Sequence, residues 1–309
     1  MNEQEPTTAP NPKSRGHFEA LTLPQIPDHE LLRSIGSGSF GEVWLARNIM
    51  GTYRAVKVVY RQRFEDERPY DREFSGVKKF EPISRTHDGF VDILQVGRND
   101  KEGYFYCVME LADPRDGSME VNPDTYEPKT ASWIVGAGQP LPYEECLAFG
   151  LAVSSALAFL HKGGLVHRDI KPSNLIIVNG MPKLADVGMV TEAGSASIAG
   201  GTLGYIPPEG VPGVQADVYA FGKVLYELAT GLDRMKHPAL PDFWTDAPNL
   251  QQLTELDEIV LKACERDRTK RYASGEELHR DLLLLQTGES VKRLRWQGRR
   301  RNRYATSSS

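Results

Sequence analysis

Cysteine is scarce in this chain: Cys107, Cys146 and Cys264 are the only three in 309 residues, far apart and each among apolar neighbours. That excludes a disulfide framework or a cysteine-ligated metal cluster, and it points to reduced, buried thiols and a cytoplasmic setting. Long hydrophobic runs are lacking too. The longest, Cys146 to Leu160, covers 15 residues and is broken by Ser154-Ser155. A membrane-spanning helix needs about 20 residues, so this one reads as a buried core helix. The start, Met1-Asn2-Glu3-Gln4-Glu5-Pro6, has neither the basic nor the apolar region of a signal peptide, so secretion is not expected. There is no internal repeat and no Walker-type Gly-Lys-Ser/Thr.

What is present is ordinary for a soluble globular protein, with 40% hydrophobic and 26% charged residues and enough length for one large domain or two lobes. The net charge of −5 conceals a segregation. Lys292, Arg293, Arg295, Arg299, Arg300, Arg301 and Arg303 crowd the last 19 residues, while all 42 acidic residues lie before them. A basic tail over 289–309 therefore follows an acidic body. A charge run of this kind is most simply solvated, with an anionic surface or nucleic acid as the alternative partner.

Residues 1–27 hold Pro6, Pro10, Pro12, Pro24 and Pro27 among Thr, Ser and Asn, a composition that reads as a flexible leader. Short β-rich runs follow at Leu31–Ile35, Glu42–Ala46, Tyr53–Tyr60, Ile93–Val96 and Tyr104–Glu110, suited to a small antiparallel sheet. One helix is predicted over Arg72–Ser84, where Phe74, Val77, Phe80 and Ile83 recur at helical spacing. The stretch 113–142, rich in Pro, Gly and acids, reads as an insertion in the form of a solvated surface loop. Helices are predicted over Tyr143–His161, Asp217–Thr230, Leu250–Cys264 and Ser274–Gln286.

The segment His167-Arg168-Asp169-Ile170-Lys171-Pro172-Ser173-Asn174 is the most informative, and Asp186-Val187-Gly188 follows Asn174 by 12 positions across the apolar run Leu175–Val178. Upstream, Ile35-Gly36-Ser37-Gly38-Ser39-Phe40-Gly41-Glu42-Val43 spaces its glycines so that backbone can approach a phosphate. Glycine spacing alone also fits a dinucleotide site, but the third glycine here runs into a strand, not a helix. Lys57 lies in the apolar run Ala55–Val59, where an unpartnered ammonium would be costly. In this order, the motifs resemble those of the eukaryotic-type protein kinases, and in particular bacterial-style Ser/Thr members.

The resemblance implies an α+β, bilobal fold over 28–288, with a small antiparallel β-sheet lobe and one helix over 28–111, the junction insertion over 113–142 and a larger, mainly helical lobe over 143–288. It implies that Asp169 accepts a hydroxyl proton, Lys171 neutralises phosphoryl oxygens, and Asn174 and Asp186 hold metal. Lys57 would pair the α- and β-phosphates and an acid on the following helix, for which Glu73 fits through Val77 and Phe80 at +4 and +7, with Glu81 as the alternative. Ile35, Gly36, Ser37, Gly38, Ser39, Phe40, Gly41, Val43, Ala55, Met109, Glu110, Ala112 and Ile176 would line the nucleotide site. Met109 would be the gatekeeper, and backbone groups of Glu110 and Ala112 would meet the adenine edge.

Gly201-Thr202-Leu203-Gly204-Tyr205-Ile206-Pro207-Pro208-Glu209 is similar to the end of a Ser/Thr kinase activation segment. Thr202 would then contact Asp169 and Lys171, Asp217 would anchor the catalytic loop, and Arg271 would pair with Glu209. The function so implied is transfer of the γ-phosphate of ATP, with Mg2+ or alternatively Mn2+, to Ser/Thr of protein substrates and of the chain itself. The alternative is a nucleotide-binding scaffold without catalysis. Its support is Val187 where the family has Phe, a loss of packing worth about 1 kcal/mol, and the short spacing of eight positions from Glu209 to Asp217. Arg168, next to Asp169, is a cation that a phosphate on Ser195, Ser197 or Thr191 could meet; Glu192 or water is the alternative.

Overall fold

The computed structural model describes residues 23–38, 41–186, 191–192 and 202–293. Strands β1 (His29–Ser37), β2 (Gly41–Asn48), β3 (Tyr53–Tyr60), β4 (Ile93–Asn99) and β5 (Tyr104–Met109) form one antiparallel sheet in the order β1-β2-β3-β5-β4. The two-residue period of β3 divides its side chains between the faces. Val56, Val58 and Tyr60 join Leu31, Tyr104 and Val108 in a small outer cluster. Val59 turns the other way, into the main core, and Lys57 shares that face.

Against that face packs helix α1 (Glu67–Ser84), burying Tyr70, Val77 and Phe80. It begins five residues before the predicted start, because Asp66 caps it by accepting from the Arg68 N–H at 3.2 Å. The first turn carries charge instead of apolar periodicity. Phe74 and Tyr70 both lie against the Phe105 ring, at 5.2 and 5.3 Å.

The second lobe comprises α2 (Ala131–Gly136), α3 (Tyr143–Lys162), α4 (Val214–Thr230), α5 (Leu250–Ala263) and α6 (Gly275–Gln286), with short strands β6 (Leu165–Val166), β7 (Leu175–Val178), β8 (Met181–Leu184) and β9 (Thr191–Glu192). α4 is its axis: every residue from Asp217 to Thr230 is buried, as expected of a helix enclosed on all sides. Gly222 lets α5 approach, since a Cβ there would meet Cys264 Sγ at 2.8 Å. α3 is long and apolar enough to cross a membrane by length and composition. Here it buries Phe149, Val153, Leu157 and Leu160 in the core against α4 and α6.

Three boundaries differ from expectation. The flexible leader, read over 1–27, ends earlier, because Ile26 is buried in the outer cluster and the Gln25 carbonyl accepts the Tyr104 hydroxyl at 2.9 Å. Within the stretch 113–142, residues 113–130 are irregular and mostly exposed, as a surface loop would be, but they form a strap bonded to both lobes, and Ala131–Gly136 folds as α2. Asp113 N–H donates to the Ile177 carbonyl at 2.7 Å, and Arg33 Nε of β1 donates to the Pro123 carbonyl at 2.7 Å. The basic tail does not begin at 289, because Val291 is buried, Ser290 Oγ donates to Glu255 Oε1 at 2.5 Å and Lys292 pairs with Glu258 at 3.2 Å. Those contacts dock residues 290–292 on α5.

Candidate active site

Lys57 is where the two lobes meet in charge. Its Nζ lies 3.2 Å from Glu73 Oε1 on α1 and 2.5 Å from Asp186 Oδ1 beyond β8. Burial opposes the ammonium's charge, but Asp186 and Glu73 together outweigh it and hold the lysine protonated well above its ordinary range. The carboxylates respond in opposite directions. Burial dominates at Glu73 and raises it, whereas at Asp186 the closer lysine overrides burial and lowers it. Glu81, the alternative partner, is turned away to Arg85.

The loop between β6 and β7 is held from beneath by Asp217. Its Oδ2 accepts from the His167 N–H at 2.7 Å and its Oδ1 from the Arg168 N–H at 2.8 Å. His161 Nε2 lies 3.1 Å from the same carboxylate, and its Nδ1 accepts from the Gly275 N–H at 3.0 Å. Nδ1 therefore carries no proton, and a neutral ring donates through Nε2 to Asp217. Arg168 (φ 74°) and Asp186 (φ 59°) both sit in the left-handed region, a strain that side chains tolerate only where surroundings impose it. His167 Nε2, 3.0 Å from the Ala185 carbonyl, ties the two strained segments together.

Above this anchor, Asp169 Oδ2 receives Lys171 Nζ at 2.7 Å and Asn174 Nδ2 at 3.0 Å. Asn174 Nδ2 also donates to the Asp169 carbonyl at 2.8 Å. The amide nitrogen is thus committed, while Asn174 Oδ1, which accepts only a long 3.4 Å bond from the Ser173 hydroxyl, keeps a lone pair as an oxygen donor. Lys57, Glu73, Asp169, Lys171, Asn174 and Asp186 all line one cavity of about 940 Å³.

The roof and rear of that cavity are the other residues singled out by sequence: Ile35, Gly36, Ser37, Gly38, Gly41, Val43, Ala55, Met109, Glu110, Ala112 and Ile176 all line it. Ser39 and Phe40 lie outside the described residues. The glycines differ in purpose. A Cβ on Gly38 would meet nothing within 4 Å, whereas on Gly41 it would lie 2.3 Å from the Val58 carbonyl, so Gly41 serves the approach of β2 to β3. At the hinge, the Glu110 N–H donates to the Asp92 carbonyl at 3.2 Å and the Ala112 carbonyl accepts the Tyr126 hydroxyl at 2.9 Å. Among the described residues this leaves the Glu110 carbonyl and the Ala112 N–H for a ligand edge. The Glu110 carboxylate is turned aside to Lys183 Nζ at 2.6 Å.

A family profile described as "Protein kinase domain" matches residues 29–283. The chain belongs to the protein kinase family. Over 82% of its length it is 29% identical to a probable serine/threonine-protein kinase of Clostridium perfringens and 28% identical to the serine/threonine-protein kinase PrkC of Bacillus subtilis. It is 32% identical over 64% of its length to the serine/threonine-protein kinase PknG of Mycolicibacterium smegmatis, covering 25% of that protein. It spans about two fifths of the length of the first two, 38% and 40%.

Within the kinase domain, Arg271 makes a two-pronged pair with Glu209, Nη1 to Oε1 at 2.7 Å and Nη2 to Oε2 at 2.8 Å, and these hydrogen bonds hold the Glu209 carboxyl below its usual range. Thr202 reaches the cavity beside Asp169 and Lys171. Val187, Ser195 and Ser197 lie outside the described residues, and β9 pairs Thr191 and Glu192 with Val166 and Leu165 through the backbone. Sequence reasoning missed Arg63, which donates to the Gly38 and Gly41 carbonyls at 3.3 Å each and pairs with Glu42, bracing the glycine-rich turn. It also missed Glu227, which accepts the Tyr205 hydroxyl at 2.5 Å and fixes the end of the activation segment to α4. Neither carries a motif; an acid in so apolar a helix as α4 was the one signal available.

Proposed function

We propose that this chain is an ATP-dependent protein kinase that transfers the γ-phosphate of Mg-ATP to serine and threonine hydroxyls of proteins, itself included. The observation that carries this reading is that Lys57, bridging Glu73 and Asp186, lines the same cavity as the Asp169–Lys171–Asn174 cluster. Phosphoryl transfer asks for positioning and charge neutralisation more than covalent chemistry.

Asn174 Oδ1 and the Asp186 carboxylate are hard oxygen donors suited to Mg2+, and Mn2+ is compatible with the same set. Two such donors suit an ion that keeps waters and phosphate oxygens as its other ligands. The bound metal supplies neutralisation of phosphate charge. Lys57 orients the α- and β-phosphates, and the open turn at Gly38 lets backbone approach them. The second oxygen of Asp169, left over by Lys171 and Asn174, takes the acceptor hydroxyl's proton as the hydroxyl oxygen bonds to the γ-phosphorus and the bond from that phosphorus to the bridging oxygen breaks, releasing ADP.

Lys171 two positions after Asp169, the Gly201–Glu209 segment and the serine/threonine kinases among the relatives support a Ser/Thr acceptor. Three buried, unbridged cysteines suit a reducing compartment, so we place the domain in the cytoplasm. Incubation with labelled ATP, Mg2+ and a generic basic protein, followed by phosphosite mapping, tests the proposal. Labelled Ser and Thr are expected; nucleotide binding without transfer would leave the scaffold reading in its place.

A further inference from the structure

The strap from Ala112 to Thr130 is secured to the second lobe by several bonds. The Asp113 carboxylate accepts from the Asn179 and Gly180 N–H groups at 2.8 and 2.7 Å, and the Ile177 N–H donates to the Lys129 carbonyl at 2.9 Å. On the hinge side, the buried Tyr126 gives its hydroxyl to the Ala112 carbonyl at 2.9 Å. The first lobe reaches the strap differently. Among the described residues, its sheet touches the strap through one polar side chain, Arg33 of β1, whose Nε donates to the Pro123 carbonyl at 2.7 Å and whose Nη2 donates to the Tyr126 carbonyl.

The receiving turn is shaped for that fork. Asn122 opens it, its Oδ1 accepting from the Asp124 N–H at 3.0 Å and its carbonyl from the Tyr126 N–H at 2.8 Å. The carbonyls of Pro123 and Tyr126, three positions apart in this turn, both accept from Arg33. A planar guanidinium donates to two such oxygens at once, which a lysine cannot reproduce. β1 also leads straight into the glycine-rich turn at Gly36 and Gly38. Any swing of the sheet away from the second lobe carries Arg33 off the strap and breaks both bonds.

We infer that Arg33 is a positioning residue, an inter-lobe latch that holds β1 and the glycine-rich turn over the cleft and so sets the rate of nucleotide exchange. This rests on the nucleotide site proposed above. Arg33 lines the same cavity as Lys57, but its guanidinium is spent on the two strap carbonyls, so it acts through the lobe angle and not on the reacting atoms, and release and chemistry should separate. Opening of a latch that closes the cleft accelerates departure of bound nucleotide, whereas transfer from nucleotide already bound depends on Lys57, Asp169 and Asp186.

Stopped-flow release of a fluorescent ADP analogue, with single-turnover transfer at saturating ATP, tests the latch in the full chain. Arg33→Ala is expected to speed release about tenfold and to change the single-turnover rate less than about twofold, with Arg33→Lys between the two. Unchanged release in a folded Arg33→Ala chain overturns the inference. So does a parallel loss of release control and transfer rate, which marks a general disturbance. Should Arg33→Ala not fold, Arg33→Gln, which keeps much of the stem but cannot serve both carbonyls as the guanidinium does, must speed release in its place, and unchanged release there overturns it equally. An unaltered chain that binds no nucleotide sinks the proposed function and the latch together, whereas binding with latch-insensitive release sinks the latch alone.

Discussion

Lys57 Nζ stands 2.5 Å from Asp186 Oδ1, nearer than its 3.2 Å to Glu73 on the adjacent helix, although Asp186 is 129 positions away in sequence. The carboxylate that would ligand metal is thus shared with the lysine that would orient phosphates. Asp186→Asn keeps the shape and removes the charge. It should weaken the Mg2+-dependent part of nucleotide binding by about tenfold or more, the scale of removing one charged partner worth about 1.5–3 kcal/mol. Titrating Mg2+ against nucleotide affinity checks this, and an unchanged metal dependence would refute the assignment.

Asp169 offers the complementary case. Lys171 and Asn174 hold one of its oxygens, and an Asn at 169 fits the same space without accepting a proton. Asp169→Asn should lower turnover by about 10²–10⁴-fold, the range of a lost general base, while nucleotide affinity stays nearly unaltered. Steady-state transfer with parallel binding measurements separates the two; native turnover in the variant would show that the base lies elsewhere.

Legibility in the sequence followed the range of the interactions. Lys57, Asp169, Lys171, Asn174 and Asp186 could be singled out because glycine spacing, an apolar strand and short fixed offsets are local signals, and the structure brings them to one cavity. Glu73 could be chosen over Glu81 because Val77 and Phe80 place it at the edge of the buried face of α1. The strap was invisible for the opposite reason. Arg33 bonds to carbonyls 90 and 93 positions away, and backbone acceptors leave no mark on residue type. Its polar, Pro- and Gly-bearing composition is that of a loop. The first turn of α1 escaped because charged residues carry no apolar period, although Asp66 as a cap was readable. Docking of Val291 onto α5 was masked by the basic residues after it.

A stability prediction comes from α5. Burial first, then neighbouring Glu258, raises the Asp257 carboxyl from 3.8 to about 6. A carboxyl raised in the folded state binds its proton where the unfolded chain has already lost it, so stability falls as pH rises from about 4 through about 6. Asp257→Asn removes that charge and its penalty. At pH 7 the variant should be more stable by about 1–3 kcal/mol, the upper end being about two pKa units at 1.36 kcal/mol each. At pH 4 the difference should vanish. Denaturant melts at the two pH values check this, and a pH-independent difference would show that packing, not ionisation, governs the site.

The last prediction concerns regulation at Arg168, which precedes the proposed base and whose backbone N–H is fixed by Asp217. Burial lowers the affinity of its guanidinium for the proton, and the positive charge of Arg72 on α1 lowers it further, against an opposing pull from Asp217. Two cations from different lobes therefore bear on one another beside the catalytic loop. A phosphate, with about −1.5 to −2 charge and three acceptor oxygens, is a group that arginines so placed would hold. Ser195 and Ser197 lie a few positions beyond β9 and ahead of Thr202, the right stretch of chain to deliver it, with Thr191 behind them. Phosphatase treatment should lower activity, and Ser195→Ala with Ser197→Ala should reproduce that loss. Arg72→Ala should make activity less sensitive to phosphatase, since one of the two cations is gone. Full activity in the double serine variant, with no phosphate found between Thr191 and Thr202, would sink the idea.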